Sequence, residues 1–390
     1  MKVLFISNLF PDATEPMRGI FNARSIKYLA RLHEIRVVSP RPTRGFPPFW
    51  SPKTVRARPE DEFLAPVFPP VSYIPKFGSR WNHRLMARGL RDTVRAIRAE
   101  FPFDVVLGAW AYPDGCAVAR LAAELDFPFV VVAQGSDVHQ YLKIQVRRRL
   151  IIEAFNRAAG VVTQSRMLAQ LLAEAGVAEN KLHTIYNGVE AEVFQPGDRN
   201  AARAELNLPA NETVLLYVGN FLPIKNPLLL VEAFAELVRR QPEQRFRLMM
   251  IGDGPLRPQL EQQIERSRLS GQVTLAGRKS PAEVTRHMQA ADLLCVPSDN
   301  EGVPNVLLEA FSCGLRAVAT RVGGVPEMLT EDFLGRLVER RNPVEMAQAI
   351  SDVLALPVQT EKITAHAGKF SWEQTAAAYA ALLESAVSSR

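Results

Sequence analysis

Two glutamates eight residues apart, Glu301 and Glu309, stand in the stretch Ser298-Asp299-Asn300-Glu301-Gly302-Val303-Pro304-Asn305-Val306-Leu307-Leu308-Glu309-Ala310. The spacing puts the first in a turn and the second just over one turn inside a helix that opens between them. Pro304 suits the first helical position, because it has no N–H to leave unpaired and its fixed φ already fits a helix. The N–H groups of that first turn lack intrahelical acceptors, and the helix dipole adds positive potential behind them. Such a place takes an anion or a cluster of hydroxyls. A sugar nucleotide carries hydroxyls at both ends and a diphosphate between, which matches two carboxylates flanking a helix start. Alone, the same spacing also describes an ordinary helix N-terminus with two solvated glutamates.

These residues must be positioned by something, and short apolar runs alternate with longer amphipathic segments along the whole chain. The first half holds candidate strands at Val3–Ser7, Ile35–Ser39, Val105–Ala109, Phe129–Ala133, Val161–Ser165 and His183–Tyr186. The second half holds Val214–Gly219, Phe246–Gly252, Val273–Gly277, Leu293–Pro297, Ala317–Thr320 and Arg336–Val338. Runs that are apolar throughout and separated by helices predict parallel sheets covered on both faces. Two such series in succession predict two Rossmann-like α/β domains, residues 1–195 and 196–370, divided at the turn-rich Gln195-Pro196-Gly197-Asp198. Ligands of these sheets bind beyond the carboxyl ends of the strands, so two such edges facing each other would form one deep cleft. No G-x-G-x-x-G follows the first strand and no G-x-x-x-x-G-K-[ST] occurs, which argues against a nicotinamide dehydrogenase and a P-loop NTPase. No Asp-x-Asp pair is present to hold a diphosphate through a metal. Pro40 to Trp81, rich in proline and aromatics (Phe46, Pro47, Pro48, Phe49, Trp50, Phe68, Pro69, Pro70, Tyr73), reads as a functional loop or lid, or as a plain surface excursion.

With 390 residues, 47% hydrophobic and 23% charged, the chain has the composition of a soluble globular protein large enough for two cores. The apolar start Met1–Ile6 is too short for a signal-peptide core, and no run is long enough to span a bilayer. Three widely spaced cysteines, Cys116, Cys295 and Cys313, suit a reducing compartment better than a disulfide frame or a zinc site. The expected location is the cytoplasm. Residues 1–195 carry 26 Lys and Arg against 18 Asp and Glu, so the first half is the one suited to an acidic partner.

Several pieces occur together in order: Tyr217-Val218-Gly219-Asn220-Phe221-Leu222-Pro223-Ile224-Lys225-Asn226, then Ile251-Gly252-Asp253-Gly254-Pro255, Ala291-Asp292, the Glu301–Glu309 stretch, and Gly323-Gly324-Val325-Pro326-Glu327. Gly19, Gly135-Ser136-Asp137, Asn187-Gly188-Val189 and Phe370-Ser371-Trp372 extend the set across nearly the whole chain. In this order they resemble the GT-B glycosyltransferases of family 4, most closely the bacterial enzymes of capsular, exopolysaccharide and teichuronic-acid synthesis. The resemblance implies a GT-B α/β fold whose last helix, 371–390, crosses back onto the first domain. It implies an acceptor-binding first domain and a second that binds the donor nucleotide sugar. It also implies retention of configuration, no metal and no cofactor beyond the nucleotide-diphosphate sugar.

Carried over by position, Glu301 corresponds to the first Glu of the family's E-x7-E, which meets hydroxyls of the donor sugar. Glu309 corresponds to the second, which accepts from ribose hydroxyls. Gly302, Val303, Pro304, Asn305 and Val306 line the place where the family binds sugar and phosphate, although Pro304 offers no N–H. Lys225 matches the lysine that neutralises the leaving diphosphate, and Gly19 a backbone position that approaches phosphate closely. Two departures stand out. Asn220 occupies a position where many members carry Arg, and Arg278 or Lys279 is expected to compensate. Gln134 precedes Gly-Ser-Asp where members often have His; it can donate a hydrogen bond to the sugar but cannot shuttle a proton. Asp137 fits both a helix cap and a ligand group.

Arg80, Arg84, Arg88, Arg91, Arg95 and Arg98 recur at spacings of three and four, which places them on one helical face, while Leu90, Val94, Ile97 and Phe101 mark a different face that would pack on the domain. That stripe predicts docking of the peripheral protein on an anionic membrane surface, and nothing here resembles a base-reading nucleic-acid module. The expected activity is transfer of a hexose or N-acetylhexosamine from a nucleotide-diphosphate sugar, UDP favoured, to a lipid-linked cell-surface glycan. A catalytically silent GT-B subunit and a GT-B sugar-nucleotide epimerase are the alternatives.

Overall fold

The structure is a computed structural model that describes residues 1–44 and 55–389. The chain forms two compact units, Met1–Asn187 with Trp372–Arg390, and Gly188–Ser371. Phe46, Pro47, Pro48, Phe49 and Trp50 of the predicted loop lie outside the described residues.

In the first unit the strands are β1 (Lys2–Ile6), β2 (Glu34–Val38), β3 (Arg41–Arg44), β4 (Pro70–Tyr73), β5 (Val105–Ala109), β6 (Phe129–Ala133), β7 (Gly160–Thr163) and β8 (Leu182–Thr184). Six of them make one parallel sheet in the order β2-β1-β5-β6-β7-β8. The inner strands β1, β5, β6 and β7 are buried along nearly their full length, as a sheet covered by helices on both faces requires, while the edge strands β2 and β8 are only partly buried. One face packs against the helices Asn82–Glu100, Cys116–Leu125 and Gln145–Arg157 through Leu90, Val94, Leu121 and Phe155. The other packs against Ile20–Leu29 and the last helix, Trp372–Ser388, through Ile26, Leu29, Tyr379 and Leu383. The last helix thus belongs to the first unit. Its Trp372 is 1% exposed and stacks on Tyr28 at 6.1 Å, and Thr375 Oγ1 donates to the Tyr186 carbonyl at 2.9 Å.

The strands β3 and β4 pair in a separate two-stranded parallel sheet inside the stretch read as a loop. Pro42 and Pro70 lie within these strands, and proline lacks the N–H that a central strand needs, so the composition signalled a loop. The pair is tied down by Arg41, which donates to Asp12 from Nε at 3.2 Å and from Nη2 at 2.7 Å, with both side chains buried. Burial alone would raise the Asp12 carboxyl. The Thr14 hydroxyl, the Arg41 guanidinium and the Glu15 and Thr14 amides outweigh it and hold the group at about 2.

The arginine stripe needs correction. Arg80 lies in the short 3₁₀ turn Gly78–Arg80, ahead of the helix Asn82–Glu100. Arg91 and Arg95 reach the same carboxylate, Glu124, and Arg98 donates to the carbonyls of Leu125 and Asp126 at the end of the neighbouring helix. Half of the predicted face is therefore occupied in fixing one helix to the next.

The second unit repeats the plan with β9 (Thr213–Val218), β10 (Phe246–Ile251), β11 (Val273–Gly277), β12 (Leu293–Val296), β13 (Ala317–Thr320) and β14 (Gly335–Val338). They form a parallel sheet in the order β11-β10-β9-β12-β13-β14, packed on one face against the helices Pro227–Arg240 and Pro343–Ala355 through Leu230, Phe234 and Ile350. No described helix is long and apolar enough to cross a membrane. Removing the indole that anchors the last helix should cost the first unit about 3–5 kcal/mol, the range for a fully buried large aromatic. Urea unfolding of Trp372→Ala followed by circular dichroism is expected to show that loss as an earlier transition.

Candidate functional site

In each sheet the chain leaves its first strand to one side and later returns to the other. The reversal falls between β1 and β5 in the first unit and between β9 and β12 in the second. The loops that follow two such strands diverge and leave a crevice beyond their carboxyl ends. In the second unit the two loops are those carrying Lys225, after β9, and Glu301, after β12.

They meet directly. Lys225 Nζ donates to both carboxylate oxygens of Glu301, at 2.6 and 2.7 Å, and Ser298 Oγ donates to Glu301 Oε1 at 2.6 Å. Glu301 is 8% exposed, whereas the Lys225 side chain is 32% exposed. Asp299 fastens the two loops: its N–H donates to the Ile224 carbonyl at 2.9 Å, and its carboxylate accepts from Arg341 Nη2 at 2.8 Å and from Asn226 Nδ2 at 3.4 Å. The Tyr217 hydroxyl, pushed up by burial and by the Glu301 charge, stays protonated and donates to the Asn220 carbonyl at 3.1 Å.

The Glu301 loop is held from below by Gly323-Gly324. Gly323 has φ +56, and a Cβ there would lie 1.8 Å from the Glu301 carbonyl oxygen, so only glycine fits. Gly324 N–H donates to the Gly302 carbonyl at 2.6 Å. The helix after the loop runs Asn305–Ser312, with Pro304 preceding it at φ −73 and ψ 110. Pro304 is thus the capping residue and not the first helical one. Its fixed φ sets the entry angle, while its extended ψ delays the helix by one residue. Glu309, half-buried, lies four residues in, about 6 Å along the axis from Asn305. Gly302, Val303, Asn305 and Val306 are all partly exposed around that helix start. The loop after β10 backs the Lys225 loop, with Phe221 N–H donating to the Asp253 carbonyl at 3.0 Å. Asn220 is exposed. Lys279 pairs with Glu283 at 3.1 Å in the capping box of the helix Pro281–Ala290, so of the two cations expected to compensate, Arg278 is the one left exposed without an ion pair among the described residues.

The corresponding edge of the first unit is polar and densely bonded. Gly19, at φ +60, precedes the helix Ile20–Leu29, and a Cβ there would meet the Leu9 carbonyl oxygen at 2.2 Å. The close approach that this glycine permits is therefore to its own loop. Asn22 Nδ2 donates to that carbonyl at 2.6 Å, and Gln134 Nε2 donates to Asn22 Oδ1. Asp137 is fully buried; its carboxylate accepts from the amides of Ala111 at 2.7 Å, Gln134 at 3.0 Å and Val138 at 3.1 Å. Burial raises it to about 6 against the pull of those amides. It positions Gln134 and the turn after β5. Asp114, also fully buried, accepts from the Asn8 amide at 2.5 Å and from Asn8 Nδ2 at 2.6 Å, tying the loop after β1 to the turn after β5.

Sequence reasoning singled out Lys225 and Glu301, and the second unit brings them together. It missed Ser298 and Asp299 as working residues although both stand in the stretch it began from. It also missed Asn8, Asn22, Asp114 and Arg341, whose partners are remote in sequence. Among the described residues no group of three or more His, Cys, Asp or Glu is placed to hold a metal ion.

Comparison with known proteins gives two family matches. Residues 21–193 match the model described as Glycosyltransferase Family 4, and residues 198–370 the one described as Glycosyl transferases group 1. The chain is 33% identical over 255 residues to a D-inositol 3-phosphate glycosyltransferase of Segniliparus rotundus, which covers 63% of this chain and 56% of that protein. The chain thus spans little more than half the length of that relative. It is 28% identical to TuaC of Bacillus subtilis, a provisionally named teichuronic acid biosynthesis glycosyltransferase, over 90% of this chain and 88% of that one. Among solved structures, Anabaena Alr3699/HepE in complex with UDP superposes with a TM-score of 0.77 at 20% identity, covering 99% of this chain and 100% of that one. The fold is the GT-B α/β fold with two Rossmann-like parallel-sheet domains.

Asp114 makes the first unit sensitive to pH. Burial lifts its carboxyl from 3.8 to about 7, against the Asn8 hydrogen bonds. The folded state holds this proton more tightly than the unfolded chain. The stability it contributes is therefore complete below pH 3.8 and lost as pH rises through about 7. In thermal melts the advantage of the wild type over Asp114→Asn is expected to be several degrees larger near pH 5 than near pH 8, roughly the window of that titration. A difference that does not change with pH would show that Asp114 titrates as an ordinary carboxylate.

Proposed function

This chain belongs to the glycosyltransferases of group 1 and family 4, and from that premise we propose that it is a retaining, metal-independent enzyme. It moves a hexose or N-acetylhexosamine from a UDP-sugar to a lipid-linked cell-surface glycan, with the second unit taking the donor and the first the acceptor. It works as a peripheral protein on the cytoplasmic face of the membrane. The observation that carries this reading is the Lys225–Glu301 pair at the head of the helix bearing Glu309. The UDP in the Anabaena neighbour supports the choice of nucleotide, and the TuaC likeness supports a surface glycan as product.

The chemistry follows from these groups. As the bond between the anomeric carbon and the diphosphate oxygen breaks, negative charge builds on the leaving phosphate. Once donor binding has drawn Lys225 off Glu301, it and the N–H groups at the helix start are already in place to oppose that charge as it develops. Glu301 then accepts from sugar hydroxyls near the reacting carbon, and Glu309 from the ribose. The acceptor hydroxyl attacks from the face that the phosphate leaves and gives its proton to a phosphate oxygen, so Gln134 needs only to donate a hydrogen bond to the sugar. Asn220 and Arg278 flank the diphosphate, Asn220 adding no charge.

The test combines titration with UDP- and GDP-sugars and a turnover assay with lipid-linked acceptors. Glu309→Ala should weaken UDP binding roughly tenfold or more, the worth of a hydrogen bond to a charged group. Lys225→Ala should lower kcat about a hundredfold, as loss of a fixed charge at a developing anion does. Unchanged nucleotide affinity in both variants would reject the site. Binding without turnover on any acceptor would identify a silent subunit, and UDP-sugar interconversion without acceptor an epimerase.

A further inference from the structure

Outside the nucleotide crevice, one surface of the first unit combines unpaired cations with exposed apolar side chains. From Ile74 to Arg91 and from Tyr141 to Ile152 the sequence contains no Asp or Glu. The structure brings these two segments side by side. Arg147 Nε donates to Ser79 Oγ at 3.0 Å, and its guanidinium lies over the rings of Tyr112 and Tyr141 at 5.1 and 4.5 Å. The Tyr112 hydroxyl donates to the Ser79 carbonyl at 2.9 Å. Arg147 is thus spent on holding the surface together and Arg91 pairs with Glu124, while the remaining cations, Lys76, Arg80, Arg84, Arg88, Lys143, Arg148 and Arg149, are exposed and make no ion pair among the described residues.

Between the segments runs an open groove of about 1320 Å³ lined by Arg80, Trp81, Arg84, Val146, Arg148 and Arg149, with Glu153 its single carboxylate against four arginines. Of its lining Trp81 is 47% and Val146 38% exposed, and on the same two segments Phe77 is 82% and Ile144 39% exposed. A solubilising surface has no use for a phenyl ring exposed to that degree. Aromatic rings beside unpaired cations match the interface of a bilayer, where rings sit at headgroup depth and cations face lipid phosphates.

The geometry points to this surface as the docking site for an anionic lipid bilayer, with Phe77 and Trp81 inserting and Arg80, Arg84, Arg148 and Arg149 meeting the headgroups. This places the contact at the start of the helix Asn82–Glu100 together with the start of Gln145–Arg157, and away from Arg91, Arg95 and Arg98. The surface adjoins Tyr112 and Tyr141, which follow β5 and β6, so the lipid headgroups lie near the strand ends of the unit assigned above to the acceptor. That adjacency rests on the transferase reading; the docking itself does not.

Flotation of the full chain with phosphatidylglycerol-rich vesicles, against pure phosphatidylcholine vesicles, tests it. The wild type is expected to float with the anionic vesicles only and to be released at high salt. Phe77→Glu with Trp81→Glu, and separately Arg80→Glu with Arg148→Glu, should each cut the floated fraction about tenfold. Arg91→Gln should float as the wild type does. UDP titration and circular dichroism on the same samples separate loss of docking from misfolding or failure of the nucleotide site. Variants that float normally, equal binding to phosphatidylcholine, an Arg91→Gln defect as large as the others, or displacement from vesicles by double-stranded DNA would each overturn the assignment.

Discussion

The reversal of strand order at β9 decides where the chemistry of this protein can sit. With β10 on one side and β12 on the other, the loops that leave β9 and β12 emerge as neighbours without helices between their starts. Everything local follows from that constraint. The Lys225 loop and the Glu301 loop can touch, Asp299 can clamp one to the other, and Gly323 can slide beneath. A carboxylate left almost without solvent at that point would be costly unless paired, and Lys225 and Ser298 supply the pairing. The site at rest is therefore self-neutralised, with its cation and its anion satisfying each other. A ligand that enters must offer a better partner to both, and a molecule with phosphate at one end and hydroxyls beside it does so. An inorganic anion would satisfy Lys225 while leaving the buried Glu301 charge with only the Ser298 hydroxyl.

The first unit meets the same geometric demand with neutral and buried groups instead. Its loop after β1 is tied to the turn after β5 by Asn8 and Asp114, and its edge at Gln134 is set by Asn22 and Asp137. One partly exposed pair, Arg18–Glu15 at 2.7 Å, stands on the loop after β1, where Arg18 Nε also donates to the Asn8 carbonyl at 2.8 Å. A rigid polar edge of amides and buried carboxyls suits recognition of hydroxyls. A separate group of cations without ion pairs, among them Arg80, Arg84, Arg148 and Arg149, lies on the surface that carries Phe77 and Trp81.

Much of this was legible in the sequence, for physical reasons. The inner strands of both sheets announced themselves because they are buried on both faces and so must be apolar along their length, while the edge strands β2, β8, β11 and β14 are only partly buried. Glu301 stood out by its spacing to Glu309 across a helix start and Lys225 by the family resemblance, and both lie just past a strand end, where a doubly wound sheet puts its ligands. What stayed hidden depends on distance through space. Arg341 gives no sign of reaching Asp299, and Asp114 is one acid among many until its burial beside Asn8 is seen. The strands β3 and β4 were masked by their prolines. The arginine stripe misled in a different way. Periodicity put Arg84, Arg88, Arg91, Arg95 and Arg98 on one helix but wrongly took in Arg80 from the turn before it, and could not show that Glu124 and the carbonyls of Leu125 and Asp126 already held three of the six.

The central claim is that the Lys225–Glu301 pair is a resting arrangement that the donor takes apart. A crystal structure of the protein with a bound, non-hydrolysable UDP-sugar tests it most directly. The account predicts Lys225 Nζ on a phosphate oxygen, Glu301 on a sugar hydroxyl, and the two separated beyond ion-pair distance, roughly 4 Å. A complex in which the nucleotide binds while the pair stays closed at its present 2.6 and 2.7 Å would contradict it.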